Sequence, residues 1–193
     1  MRITAGYARG IFLNSPKGDS TRPATDAARL AIFSSLGQIV ENAQVLDVFA
    51  GTGSYGLEAA SRGAKKVIFI ENNAQAFKVL KANIAEIKKL VKADLSAIMS
   101  DCLKSAKRLE NITFDIIFAD PPYALLSNAD FQEKLFNFFK EIANENTTFV
   151  LEAPAEYNLP ENTNFTELKR LGKKSRGKPS QIIFKTTNTS EDK

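Results

Sequence analysis

The chain has 193 residues, 44% of them hydrophobic, with 10 glycines and 7 prolines, the balance of one globular domain that can bury a core. Its single cysteine, Cys102, and its lack of histidine exclude an intrachain disulfide, a cysteine metal cluster and the Ser/His and Cys/His nucleophilic machineries. The formal charge of +4 is modest but unevenly spread: Lys169, Arg170, Lys173, Lys174, Arg176 and Lys178 crowd into ten residues, and Arg2, Arg9, Lys17 and Arg22 fall in the N-terminal segment.

Such clusters are candidate phosphate contacts. No apolar run approaches the ~20 residues that cross a bilayer, so a soluble, cytoplasmic chain without membrane or metal partners is expected.

In chain order, residues 2–14 read as a small β-hairpin, and residues 25–38 as a helix whose start is marked by Pro23, Thr25 and Asp26. From residue 45 short apolar runs alternate with longer helical patterns, the signature of a parallel sheet with helices on both faces. Strands are predicted at 45–49, 66–71, 97–101, 114–120, 147–152, 165–170 and 181–186, several apolar throughout, as strands covered on both faces must be. Helices are predicted at 54–62, 73–90 and 129–144, where apolar residues recur every three or four positions, as in Phe77, Leu80, Ile84 and Ile87. The connection 171–180 is too short for a crossover helix, so the last two strands should pair antiparallel. The expectation is one domain over residues 1–188, with the hairpin and helix of about residues 1–40 as an extension and 189–193 as a disordered tail.

The stretch from Asp47 through Phe49, Gly51 and Gly53 to Gly56 ends a strand and opens a helix, so its glycines sit where backbone passes close to a ligand. A GxGxxG string alone also serves dinucleotide enzymes. Asp47, four residues before Gly51, favours S-adenosylmethionine, because a carboxylate there can approach the methionyl ammonium and would repel a pyrophosphate. Gly53 is expected to leave room for the methionyl part, Glu71 to accept from ribose hydroxyls, and Asp101 with the Cys102 backbone to meet the adenine. Seven strands with one terminal antiparallel hairpin then fit an α/β, Rossmann-like, class I S-adenosylmethionine-dependent methyltransferase.

Asp120, Pro121, Pro122 and Tyr123 follow the fourth strand, at the edge facing the glycine loop where an open α/β sheet binds its substrate. An exocyclic amine on a base is a poor nucleophile, since its lone pair is delocalised into the ring. If Asp120 and the Pro121 carbonyl each accept one N–H, the lone pair is turned toward the methyl donor. The prolines stiffen the loop, and Tyr123 can stack on an unstacked base. Methylation of cytosine carbon would need a cysteine nucleophile usually preceded by proline, whereas Cys102 follows Asp101.

These residues resemble the RsmD family of 16S rRNA (guanine-N2)-methyltransferases over nearly the whole chain. The resemblance is carried by Arg2, Gly6, Arg9 and Gly10, by Arg22, Pro23, Thr25, Asp26, Arg29 and Phe33, by the loop from Asp47 to Ala59, and by Asp120 to Tyr123. It implies that Asp120 to Tyr123 hold a guanine amino group, that Asp47, Gly51, Gly53, Glu71 and Asp101 hold the cofactor, and that the partner is 16S rRNA in the small ribosomal subunit. Arg9, Arg22, Thr25, Lys173, Lys174, Arg176 and Lys178 are the candidate RNA contacts, and a monomer is expected. Ala24, Ala27, Leu30 and Ile11 depart from the family pattern, in the part expected to meet RNA. Three other readings stand beside this one: an adenine-N6 DNA methyltransferase, a dinucleotide oxidoreductase, which leaves Asp120 to Tyr123 unexplained, and an RNA-binding module without catalysis.

Overall fold

The structure, a computed structural model, describes residues 1–15, 25–161, 163–172 and 175–187. Helix α1 (Asp26–Leu36) leads to β1 (Gln44–Val48), α2 (Ser54–Ser61), β2 (Lys66–Glu71), α3 (Ala74–Ile87), β3 (Asp94–Met99), the short α4 (Ala106–Leu109) and β4 (Ile116–Ala119). A single turn, α5 (Tyr123–Leu126), then α6 (Ala129–Ile142), β5 (Thr148–Pro154), β6 (Phe165–Gly172) and β7 (Pro179–Thr186) complete it. The seven strands form one sheet in the order β3-β2-β1-β4-β5-β7-β6. Strands β1 to β5 run parallel and β7 lies antiparallel between β5 and β6, as the short connection requires.

Strand alternation divides the apolar residues between two cores. Val45, Phe69, Ile116, Phe118 and Val150 pack under α1, α2 and α3. Leu46, Val48, Ile117, Leu151 and Phe184 pack under α4, α5 and α6, where Phe149 and Phe184 stack at 4.9 Å.

Among the boundaries that differ from the sequence reading, β3 and β4 do so for clear physical reasons. Strand β3 spans Asp94–Met99, not 97–101: it is an edge strand with alternate residues exposed, so Asp94 and Ser96 hid its start. Asp101 therefore lies two residues beyond the strand. Strand β4 ends at Ala119, and Pro121, with no N–H, cannot extend the ladder past Asp120.

The N-terminal segment is not a full hairpin. It has one bridge, Arg2 to Phe12, with Ile3 donating to the Ile11 carbonyl at 2.9 Å, because residues 4–8 are drawn onto α2 instead. Glu58, fully buried in that helix, accepts from the Thr4 amide (2.8 Å), the Thr4 hydroxyl (2.6 Å), the Ala5 amide (3.1 Å) and Arg62 Nε (2.8 Å), with the buried Arg29 guanidinium 3.9 Å away. Ser61 Oγ donates to the Ala5 carbonyl and accepts from the Ala8 amide. Further along, Asn14 donates its amide to Asn83 Oδ1 of α3, and Asn83 Nδ2 donates to the Thr52 carbonyl in the glycine loop. The segment is thus tied to the loop as well as to α2.

Removing this buried carboxylate takes the acceptor from two backbone amides, the Thr4 hydroxyl and Arg62, and one of two acidic neighbours from Arg29, whose other is Asp26 at 2.7 Å. Glu58→Ala is expected to cost about 3–5 kcal/mol of stability by urea unfolding; a loss below about 1 kcal/mol, the level of an exposed pair, would contradict the clamp.

Candidate active site

The loop after β1 is built on left-handed backbone: Phe49 at φ 57°, Gly51 at φ 55° and Gly53 at φ 87°. Glu71 fixes it from β2, accepting the Gly51 amide at 2.7 Å on one oxygen and the Asn73 amide at 2.7 Å on the other. The two glycines differ. A Cβ on Gly51 would meet no atom within 4 Å, so the loop leaves open space there. A Cβ on Gly53 would lie 2.5 Å from Leu80 Cδ1, and its φ of 87° is one that side chains rarely adopt, so this glycine serves the turn and the close packing of α3.

Asp47 is buried and accepts the Gly56 amide at 2.8 Å. Burial, opposed by that amide and reinforced by Glu71, pushes its carboxyl up to about 8. A ligand cation placed against this buried acid would favour its ionised form. Asp101 takes the Leu103 amide at 3.0 Å on one oxygen. The neighbouring Cys102 thiol is buried and, mainly for that reason, pushed up to about 12, which makes it a poor nucleophile.

Asp120 follows β4 on the face that carries Phe118, the α1 and α2 side. Its carboxylate accepts no hydrogen bond from any described residue, and neither does the carbonyl of Pro121. Burial first, then Glu152 and Asp47, hold the Asp120 carboxyl well above its ordinary range. Pro121 is buried, Pro122 exposed, and Tyr123 opens α5 half-buried, its phenol raised by burial and then by Glu152 and Asp120.

Sequence reasoning missed three members of this neighbourhood. Glu152 of β5 lies beside Asp120, one residue past the Ala119 to Leu151 pair, and Gln181 of β7 pairs with it in register. Tyr55 Oη donates to Glu152 Oε2 at 2.7 Å while its ring stacks on Phe118 at 5.2 Å. The available signal was polarity out of place: Glu152 interrupts the apolar run from Phe149 to Ala153, and Gln181 borders the apolar run from Ile182 to Phe184.

Of the basic residues, Arg9, Arg176 and Lys178 are exposed, with Tyr7 and Phe12, 71% and 75% exposed, on the same N-terminal segment as Arg9. Thr25 is exposed and caps α1, its hydroxyl accepting from Ala28 at 3.2 Å. Arg170, by contrast, is committed to Glu167 (2.6 Å) and the Tyr157 carbonyl (2.8 Å). Arg22, Lys173 and Lys174 lie outside the described residues.

The raised acids make stability depend on pH. Between the ordinary carboxyl value near 3.8 and about 8, the folded chain keeps a proton on Asp47 that the unfolded chain has released, so unfolding becomes easier as pH rises through that window. The melting temperature of the ligand-free protein should fall from pH 5 to pH 8, and Asp47→Asn should flatten the fall. A rising profile, or an identical one for the variant, in scanning calorimetry would contradict the assignment.

The family model described as conserved hypothetical protein 95 (Cons_hypoth95) matches residues 1–185. "Putative rRNA methyltransferase YlbH" of Bacillus subtilis (strain 168) is 32% identical over 167 residues, 83% of this chain and 86% of that protein. Ribosomal RNA small subunit methyltransferase D of Escherichia coli (strain K12) is 34% identical over 123 residues, 64% of this chain and 60% of that one. The solved structure of yhhF from Escherichia coli superposes with a TM-score of 0.77 at 27% identity, covering 96% of this chain and 97% of that one. HI0767 from Haemophilus influenzae does so with a TM-score of 0.73 at 28% identity and the same coverage. With the seven-stranded sheet and the site at its carboxyl edge, these matches place the chain in the Cons_hypoth95 (RsmD) family of S-adenosylmethionine-dependent methyltransferases.

Proposed function

We propose that the protein methylates the exocyclic N2 amino group of a guanine in 16S rRNA, acting as a monomer in the cytoplasm on RNA of the small ribosomal subunit. The observation that carries this reading is the pair of unpartnered acceptors, the Asp120 carboxylate and the Pro121 carbonyl, beside the glycine loop. The RNA part rests on relatives whose names state rRNA as their substrate.

S-adenosylmethionine, when bound, supplies a methyl group on a positively charged sulfur. Asp47 would face its ammonium, with Phe49 and Gly51 lining the cradle. Glu71 would offer the remaining lone pair of each oxygen to the ribose hydroxyls, and Asp101 and Cys102 would flank the adenine. Gly53 acts indirectly, by letting α3 pack close enough to set the loop. Asp120 and the Pro121 carbonyl would each accept one amino hydrogen, which would turn the nitrogen lone pair toward the methyl donor. With the cofactor bound, transfer of its methyl group would leave a surplus proton on the nitrogen, and Asp120, whose ionised form the N–H donors of the bound amine favour, would be placed to take it. Pro122 holds the turn and Tyr123 stacks on the extruded base. Arg9, Arg176 and Lys178, with Arg22, Lys173 and Lys174, contact phosphates, and Thr25 borders that face through the helix it caps.

The test uses cofactor labelled in the methyl group with unmodified 16S rRNA, small subunits or DNA, followed by digestion to nucleosides. Label in N2-methylguanosine is expected; label in N6-methyladenine from DNA would overturn the substrate, and no label in any arm would overturn the activity. In the same assay Asp120→Ala should lose about a hundred- to a thousandfold in rate, the scale of losing one hydrogen-bonding group to the transition state, while its affinity for S-adenosylhomocysteine stays within a few-fold.

A further inference from the structure

Asp120, Glu152 and Gln181 form one row across neighbouring strands at the carboxyl edge, all on the α1 and α2 face. Backbones of adjacent strands are about 4.8 Å apart, so two carboxylates in such a row can converge on atoms of a single base edge. Glu152 is held for that task. Tyr55 Oη at 2.7 Å and Gln181 Nε2 at 3.4 Å both reach its Oε2, which fixes the carboxylate plane. Its Oε1 accepts from no described residue. Burial holds the carboxyls of both acids above their ordinary range, but Tyr55 and Gln181 donate to Glu152 and oppose the shift there, whereas Asp120 receives no donor from described residues.

The atom beside the reacting amine differs in sign between the purines. In guanine the amino group at C2 neighbours N1–H, a donor; in adenine the amino group at C6 neighbours N1 as a bare acceptor. We propose that Glu152 accepts the guanine N1–H through Oε1 and is thereby the residue that selects guanine over adenine at this site. An adenine in the same pose would set its N1 lone pair against a buried carboxylate, and a site that leaves a buried polar group unpaired rejects its ligand strongly. The inference rests on the guanine-N2 reading above and names what enforces it. Tyr55 and Gln181 act through Glu152 as positioning residues.

The probe is 16S rRNA carrying 2-aminopurine at the methylated position, which keeps the 2-amino group but offers a bare N1. Wild-type protein should methylate guanine RNA at least about a hundredfold faster than the 2-aminopurine RNA, within the range seen when a site built for an N–H donor meets an analogue lacking it. Glu152→Gln, whose amide can donate to a bare N1, should shrink that ratio at least tenfold in the same assay and in competition binding read by 2-aminopurine fluorescence. Because both RNAs are compared within each protein, loss of the guanine O6 cancels between wild type and variant. S-adenosylhomocysteine affinity of the variant, measured by calorimetry, reports its folding. Equal rates of wild type on the two RNAs would overturn the proposal without any variant, and so would an unchanged ratio in a folded Glu152→Gln. Failure of wild type to form N2-methylguanosine at all would instead overturn the guanine reading, and this inference with it.

Discussion

Asp47, Glu71 and Glu152 are buried along one rim of the sheet with Asp120 largely enclosed beside them, and among the described residues none forms an ion pair. Burying an unpaired carboxylate is costly, and proteins meet that cost by holding the acid neutral, by surrounding it with donors, or by reserving it for a ligand. All three occur here. Burial pushes Asp47, Asp120 and Glu152 toward the neutral form, Glu152 against the pull of its phenol and carboxamide donors, while Glu71 is braced by two amides. A rim arranged in this way is poorly satisfied alone and well satisfied by a ligand that brings an ammonium group and a base edge rich in N–H donors.

Glu58 shows the opposite solution. Equally buried, it is surrounded by Thr4, Ala5, Arg62 and Arg29, and its work is structural: it binds the N-terminal segment to α2. That clamp, with Asn83 tying Asn14 to the Thr52 carbonyl, sets Tyr7, Arg9 and Phe12 on the same body as the glycine loop. The charged face proposed for RNA and the proposed cofactor cradle are therefore mechanically continuous.

What was legible in the sequence is what the chemistry writes contiguously. The apolar runs that become β1, β2 and β5, the loop around Gly51 and the run from Asp120 to Tyr123 are each local, and each lies where its pattern suggested. The edge strand β3 was misplaced because solvent exposure gives it a mixed pattern. Glu152, Tyr55 and Gln181 were invisible as a group: Tyr55 and Glu152 lie 97 positions apart, and only the parallel register of β4 and β5 and the packing of α2 bring them together. At Gly53 the sequence shows that a side chain is absent, but not that Leu80 of α3 packs against the place. Arg170 was counted with the free cations because its two carbonyl partners come from a distant turn.

The central claim is that the rim holds its acids for the ligand, and proton bookkeeping on cofactor binding tests it most directly. Near pH 7 the free protein carries a proton on Asp47, and an arriving ammonium group favours the ionised carboxylate. Titration calorimetry of S-adenosylhomocysteine, which carries the same methionyl ammonium, in buffers of different ionisation enthalpy should show release of close to one proton per cofactor at pH 7, falling toward none in Asp47→Asn. Binding without proton release in the wild-type protein would contradict the account.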